Sequence, residues 1–157
     1  MQILEVHGNL LNARSGHIIH GCNAQGVMGK GLAKSLRESY PTVYTTYRNI
    51  HEEKGLECGT AIPVFINSKL VIWNLITQET YGSAGRYISY DHLEKSLDCM
   101  NNFIDRDIFS FYDVPKIIHT PKIGCNNAGG DWTKSKEILT NKLSSFDEVI
   151  VWEFNND

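Results

Sequence analysis

Short apolar runs alternate along the chain with longer stretches in which apolar residues return every three or four positions, the rhythm of strands and helices taken in turn. Residues 3–7 predict a first strand that turns at Gly8-Asn9. Residues 17–22 predict a second, running into a glycine-rich turn and then into Leu32, Ala33, Leu36 and Tyr40 at helical spacing, with Pro41 ending the run. A further helix is expected over 42–54, closed by Gly55, and strands over 61–66 and 70–76 face each other around Asn67-Ser68 as a hairpin. Leu93, Leu97, Met100 and Ile104 make one core-facing helical stripe. Residues 117–120 then predict a strand, Ile138, Leu139 and Leu143 a last helix, and residues 149–154 a last strand. The expected fold is α/β, with helices on both faces of a mixed central sheet. Ligands of such sheets collect at the carboxyl ends of the strands. The loops after Cys22, Ile76 and Ile123 are therefore the places for a site.

Composition mainly sets limits. The 157 residues, 41% apolar and 21% charged, suit a single domain over 1–157 whose core needs no disulfide or metal. Fifteen Lys and Arg against 18 Asp and Glu give a net charge of -3, with no basic run to follow a nucleic-acid backbone, so no nucleic-acid groove is expected. No apolar stretch reaches the roughly 20 residues of a membrane span, and the N-terminus has no basic segment followed by an apolar one. No membrane partner is expected. The cysteines Cys22, Cys58, Cys99 and Cys125 are scattered without a C-x-x-C pair, which fits a reducing cytosol and a cytoplasmic location. The histidines are equally scattered, and His51-Glu52-Glu53 lacks the second histidine of a zinc helix. Neither a protein-held metal nor a cofactor is expected.

Two loops carry the chemistry. The first, residues 23–31, follows a strand and precedes a helix, so its glycines can turn successive amides toward an anion while the helix adds its unpaired N-terminal donors. Gly29-Lys30-Gly31 is not a dinucleotide fingerprint, because Lys34 stands where the third glycine belongs. Nor is it an ATP-binding loop, since Lys30 is followed by Gly31 and not by a hydroxyl residue. The plain alternative is a flexible connection with glycines at the start of a helix. The second loop, residues 120–132, has the same strand-to-helix placement. Two amide-rich loops at one end of a sheet imply a ligand with more than one anionic or polar segment. Asp131 reads most simply as a helix N-cap, and Trp132 as packing.

His20-Gly21-Cys22-Asn23 with Gly26, Gly29, Gly31, Leu32 and Ala33, then Pro121-Lys122-Ile123-Gly124-Cys125 with Gly129-Gly130-Asp131-Trp132, resembles the macro domain family. Asn74-Leu75-Ile76-Thr77-Gln78, Tyr81-Gly82 and Ser89-Tyr90-Asp91 extend the likeness over nearly the whole chain, closest to the yeast-type branch of ADP-ribose 1''-phosphate phosphatases. The resemblance implies a three-layer α/β/α fold that binds ADP-ribose with its diphosphate between the two loops. It implies that Asn23 contacts the distal ribose, and that amides around Gly29, Lys30 and Gly31 contact phosphate beside Cys22. Ile123, Gly124, Cys125, Asn126, Asn127, Ala128 and Gly129 would close over the diphosphate. Asn9, with Leu10 beside it, occupies the position of an aspartate that accepts from the adenine amino group in many relatives; asparagine keeps the acceptor and loses the charge. Trp152 or Phe154 would offer adenine a stacking face, or else pack the core.

For catalysis the branch implies His20 and Asp91, with ADP-ribose or ADP-ribose 1''-phosphate as ligand. Phosphomonoester hydrolysis needs charge stabilisation, a placed water and a proton carrier, and a histidine suits the last. Read without the family, His20 is as readily a hydrogen-bonded core residue, and Asp91 a helix N-cap. A different branch, which frees ADP-ribose from glutamate esters on proteins, uses a lysine where this chain has Gln78 and an aspartate where it has Ala128. Three functions follow: a metal-independent ADP-ribose 1''-phosphate phosphatase, a non-catalytic binder of ADP-ribose or a related NAD-derived nucleotide, and a hydrolase acting on ADP-ribosylated protein.

Overall fold

A computed structural model describes residues 1–81, 87–106, 113–125 and 130–154. Among these, six strands build one sheet: β1 (Gln2–His7), β2 (Gly16–Asn23), β3 (Ala61–Phe65), β4 (Leu70–Gln78), β5 (Ile117–Thr120) and β6 (Glu148–Glu153). Their spatial order is β1-β6-β5-β2-β4-β3. Every neighbouring pair is parallel except β3 with β4, which form the expected hairpin. Parallel neighbours require crossovers, and these carry α1 (Gly31–Ser39), α2 (Pro41–Lys54), α3 (Tyr90–Ile104) and α4 (Trp132–Lys142).

Alternation along the two central strands divides the core between two faces. Ile18 and Cys22 of β2, with Ile72 and Ile76 of β4, pack against Leu36 of α1 and Val43 and Tyr47 of α2. Ile19, Val71, Trp73 and Leu75 pack the other way, against Leu93, Leu97 and Met100 of α3 and Leu139 of α4. The result is the three-layer α/β/α arrangement, with β2 and β4 covered on both sides as parallel strands require. Pro41 does not merely end α1. It occupies the first turn of α2, where its missing N–H costs no hydrogen bond, so the two helices follow each other through Tyr40 alone. No helix among the described residues is long and apolar enough to cross a membrane.

Several polar side chains on the buried strands are paired across the sheet, although the buried Thr77 hydroxyl of β4 has no hydrogen-bond partner. Trp73 Nε1–H donates to His17 Nδ1 at 3.0 Å, joining β4 to β2. Trp152 Nε1–H donates to His119 Nδ1 at 3.0 Å, and His119 Nε2 lies 2.9 Å from the Ser15 carbonyl to which it donates. Burial, with His119 nearby, lowers the His17 pKa to about 4, and burial lowers His119 as well. His20 is held down to about 4 by burial, against the opposing pull of its Asn74 bond.

These shifts predict acid sensitivity. The unfolded chain protonates each histidine near pH 6.5, whereas folded His17 and His20 resist to about pH 4, so stability is complete above pH 6.5 and drains away as the pH falls toward 4. Thermal unfolding measured from pH 7.5 to 4.5 is expected to give a level Tm in the upper range and a steady decline below about pH 6.5. A Tm unchanged down to about pH 5 contradicts neutral burial of these rings.

Candidate functional site

Because β2, β4 and β5 run parallel, their carboxyl ends open at one edge of the sheet, and the loops leaving them enclose a cleft of about 340 Å³. Its wall comprises the end of β2 from His20 to Asn23, Val27 to Lys30, the first turn of α1, Gln78, Tyr81, and residues 121–124. Lys30 and Lys122 are its charged members; among the described lining residues there is no carboxylate. Such a wall favours an anion.

The first loop is braced from within and from α2. Asn23 Oδ1 accepts from Gln25 N–H at 2.9 Å, and Asn23 Nδ2 donates to the Val27 carbonyl at 2.8 Å. The buried Tyr47 hydroxyl donates to the Asn23 carbonyl at 2.7 Å and lies 2.9 Å from its Oδ1. Arg48 donates to the Gly26 carbonyl at 3.2 Å while pairing with Glu52. Gly26 itself has φ +78°, and a Cβ there would stand 2.6 Å from the His51 ring, so no side chain fits. Beyond the loop, α1 starts without a side-chain cap, since its N-cap residue is Lys30. Gly31, Leu32 and Ala33 all line the cleft, and their amides have no side-chain cap, with the positive end of the helix dipole behind them.

The second loop is built differently. Gly124, at φ +75°, packs so tightly on Ile88 that a Cβ would overlap it, and Gly130 N–H donates to the Gly124 carbonyl at 2.7 Å. The helix that follows is capped, with Asp131 Oδ1 accepting from Thr133 N–H at 2.9 Å and Asp131 N–H donating to the Tyr90 hydroxyl at 2.7 Å. An anion is thus directed to α1 and away from α4.

His20 lies in the cleft wall but is only 2% exposed. Asn74 Nδ2 donates to the Val43 carbonyl, which turns Asn74 Oδ1 toward His20 and places the imidazole proton on Nε2. The Cys22 thiol stands 3.7 Å from Nδ1, and burial raises its pKa well above the ordinary thiol range. Above about pH 4 the array is a neutral thiol, a neutral imidazole and an amide.

Of the residues singled out in the sequence, the structure brings His20, Cys22, Asn23, Gly29, Lys30, Gly31, Ile123 and Gly124 to one cleft. It does not bring Asp91 there. Asp91 lies in the first turn of α3, ion-paired with Lys95 at 3.0 Å, and the N-cap expected of it belongs to Ser89, which accepts from His92 N–H. Asn9, Leu10, Cys125 and Trp152 are not among the described lining residues either. Asn9 Oδ1 caps a short 3-10 turn by accepting from Leu11 N–H, Leu10 is buried in the core under α1, and Trp152 is tied to His119. Cys125 closes a turn back to Lys122. Asn126, Asn127, Ala128 and Gly129 lie outside the described residues. Sequence reasoning gave no site role to Gln78, Tyr81 and Lys122, which line the cleft, or to Tyr47, which braces it. Tyr47 sits four positions after Val43 on the core side of α2, a signal that marks burial and not what the hydroxyl meets.

No protein-family model matches the chain. The macrodomain of Thermus aquaticus DarG superimposes with a TM-score of 0.78 over 97% of this chain and 98% of its own, at 24% identity. The chain has the macrodomain fold. In sequence it is similar to the DNA ADP-ribosyl glycohydrolase of Thermus aquaticus, 26% identical over 153 residues that make up 95% of this chain and 40% of that protein. A shorter stretch is similar to the ADP-ribose 1''-phosphate phosphatase of Aspergillus fumigatus, 43% identical over 49 residues, 31% of this chain and 24% of that protein. The chain thus matches well under two thirds of the length of either curated relative.

The brace under the first loop makes a prediction of its own. Tyr47→Phe leaves the buried Asn23 oxygens without their hydroxyl donor and is expected to cost about 1–2 kcal/mol, read as a lowered urea midpoint at constant m-value. A midpoint equal to the wild type contradicts the brace.

Proposed function

We propose that the cleft binds an ADP-ribose derivative, with its diphosphate on the open amides of α1. The observation that carries this reading is the uncapped start of α1 in a wall that holds two lysines and, among the described residues, no carboxylate. The names of both curated relatives support an ADP-ribosyl ligand. Asn23 has one Nδ2 hydrogen beyond its bond to Val27, which suits it to a ribose hydroxyl. An adenine contact for Asn9, Leu10 or Trp152 belongs to a more distant part of the same ligand, outside the described wall.

The reaction proposed is hydrolysis of ADP-ribose 1''-phosphate to ADP-ribose and phosphate. Water attacks phosphorus, the bond to the 1''-oxygen breaks, and that oxygen takes up a proton. The amides of α1 and the lysines offset charge on the phosphoryl oxygens. Among the described lining residues His20 is the one imidazole, unprotonated above about pH 4 and so in the state of a proton acceptor. The local similarity to the phosphatase supports this chemistry.

A second reading, release of ADP-ribose from modified DNA or protein, is favoured by the similarity to the glycohydrolase over 95% of this chain. Against release from protein, Gln78 lines the cleft where the branch that acts on glutamate esters has a lysine, and its amide is turned to the Thr80 carbonyl.

Purified protein incubated with ADP-ribose 1''-phosphate and EDTA is expected to release phosphate, and His20→Ala to lower that rate at least about 100-fold. Calorimetric binding of ADP-ribose without phosphate release removes the reaction and keeps the ligand. ADP-ribose freed from modified DNA or protein favours the second reading instead. Absence of ADP-ribose binding overturns the proposal.

A further inference from the structure

We propose that Lys122 is a cationic clamp for a ligand phosphate and that Glu153 sets how freely it reaches the cleft. The inference rests on the ADP-ribosyl ligand proposed above. Parallel pairing sets Thr120 of β5 opposite Val151 of β6, so two residues further on Lys122 and Glu153 meet across the end of the sheet. The Lys122 ammonium lies 3.3 Å from Glu153 Oε1. On the other flank, β1 pairs His7 with Glu153, and His7 Nδ1 lies 4.0 Å from Oε2.

The placement of charge is uneven in a useful way. Lys122 belongs to the cleft wall, while Glu153, which holds its ammonium, is not among the described lining residues, so the counter-charge stands outside the wall that a ligand meets. Both side chains are partly solvent-exposed, 32% for Lys122 and 44% for Glu153, and an exposed pair of this kind is weak. A lysine is a point charge on a flexible stem, able to turn from a carboxylate toward a phosphate that carries at least as much charge. The open amides of α1 and the exposed Lys30 approach the cleft from the side of α1, and Lys122 from the loop that leads to α4, on the opposite face of the sheet. A diphosphate between the loops is gripped by fixed amides on one side and by a movable cation on the other. Glu153 parks that cation when the cleft is empty.

The test is calorimetry with ADP-ribose and adenosine as probes, on the wild type, Lys122→Met, Glu153→Gln and the double variant, each checked for an unchanged melting transition. Lys122→Met is expected to weaken ADP-ribose binding about tenfold, as loss of one charge-assisted contact does. It should also flatten the salt dependence of binding and leave adenosine affinity unchanged. Glu153→Gln is expected to tighten ADP-ribose binding about two- to fivefold by releasing the lysine, and to have no effect once Lys122 is gone. Wild-type binding of ADP-ribose with Lys122→Met equal to it in affinity and salt dependence overturns the clamp alone. So does a Glu153→Gln effect that persists in the double variant. Failure of the wild type to bind ADP-ribose overturns the ligand reading and the clamp with it.

Discussion

The site depends on one constraint: β2 is buried on both faces, so every polar side chain it carries must find a partner inside the protein. His17 finds Trp73, His20 finds Asn74 and through it the Val43 carbonyl, and Asn23 finds Tyr47 and the loop that follows. These bonds join the strand to β4 and to α2. The turn that brings Gly29 to Gly31 into the cleft is therefore anchored in the core and not left to the loop's own preferences. A fully paired polar network of this kind is stiff, which is what a cradle of backbone amides requires.

The two loops leave the sheet alike and treat charge differently. The first delivers an uncapped helix start, the second a helix start already occupied by the Asp131 carboxylate. One end leaves its donors open to an anion and the other does not. The cations follow the same division of labour, with Lys30 exposed beside the amides and Lys122 held back by Glu153. His20 sits beneath this surface as a neutral ring between a thiol and an amide, so whatever it contributes to chemistry it contributes uncharged near neutral pH.

Much of the fold was legible in the pattern of apolar positions. The alternation at Ile18, Ile19 and Cys22, the hairpin around Asn67-Ser68 and the stripe Leu93-Leu97-Met100 each follow from a local period, and each falls in the expected element. The loops after β2, β4 and β5 were legible as well, because parallel strands bring their carboxyl ends together. Less legible was the job of individual polar residues. Asp91 and Ser89 are both good caps by type, and only the backbone path into α3 selects the serine. Trp152 could stack or pack, and the choice is made by His119 on the neighbouring strand.

By itself the sequence determined the elements, the two faces and the edge of the sheet where the loop-lined cleft opens, because periodicity and glycine placement are local properties. Tertiary structure alone decided which side chains are spent on holding the fold and which remain for a ligand. Asn74 with His20, Tyr47 with Asn23, and Glu153 with Lys122 are separated by 54, 24 and 31 positions, and each pair meets through strand register or helix packing. No local pattern encodes such a meeting.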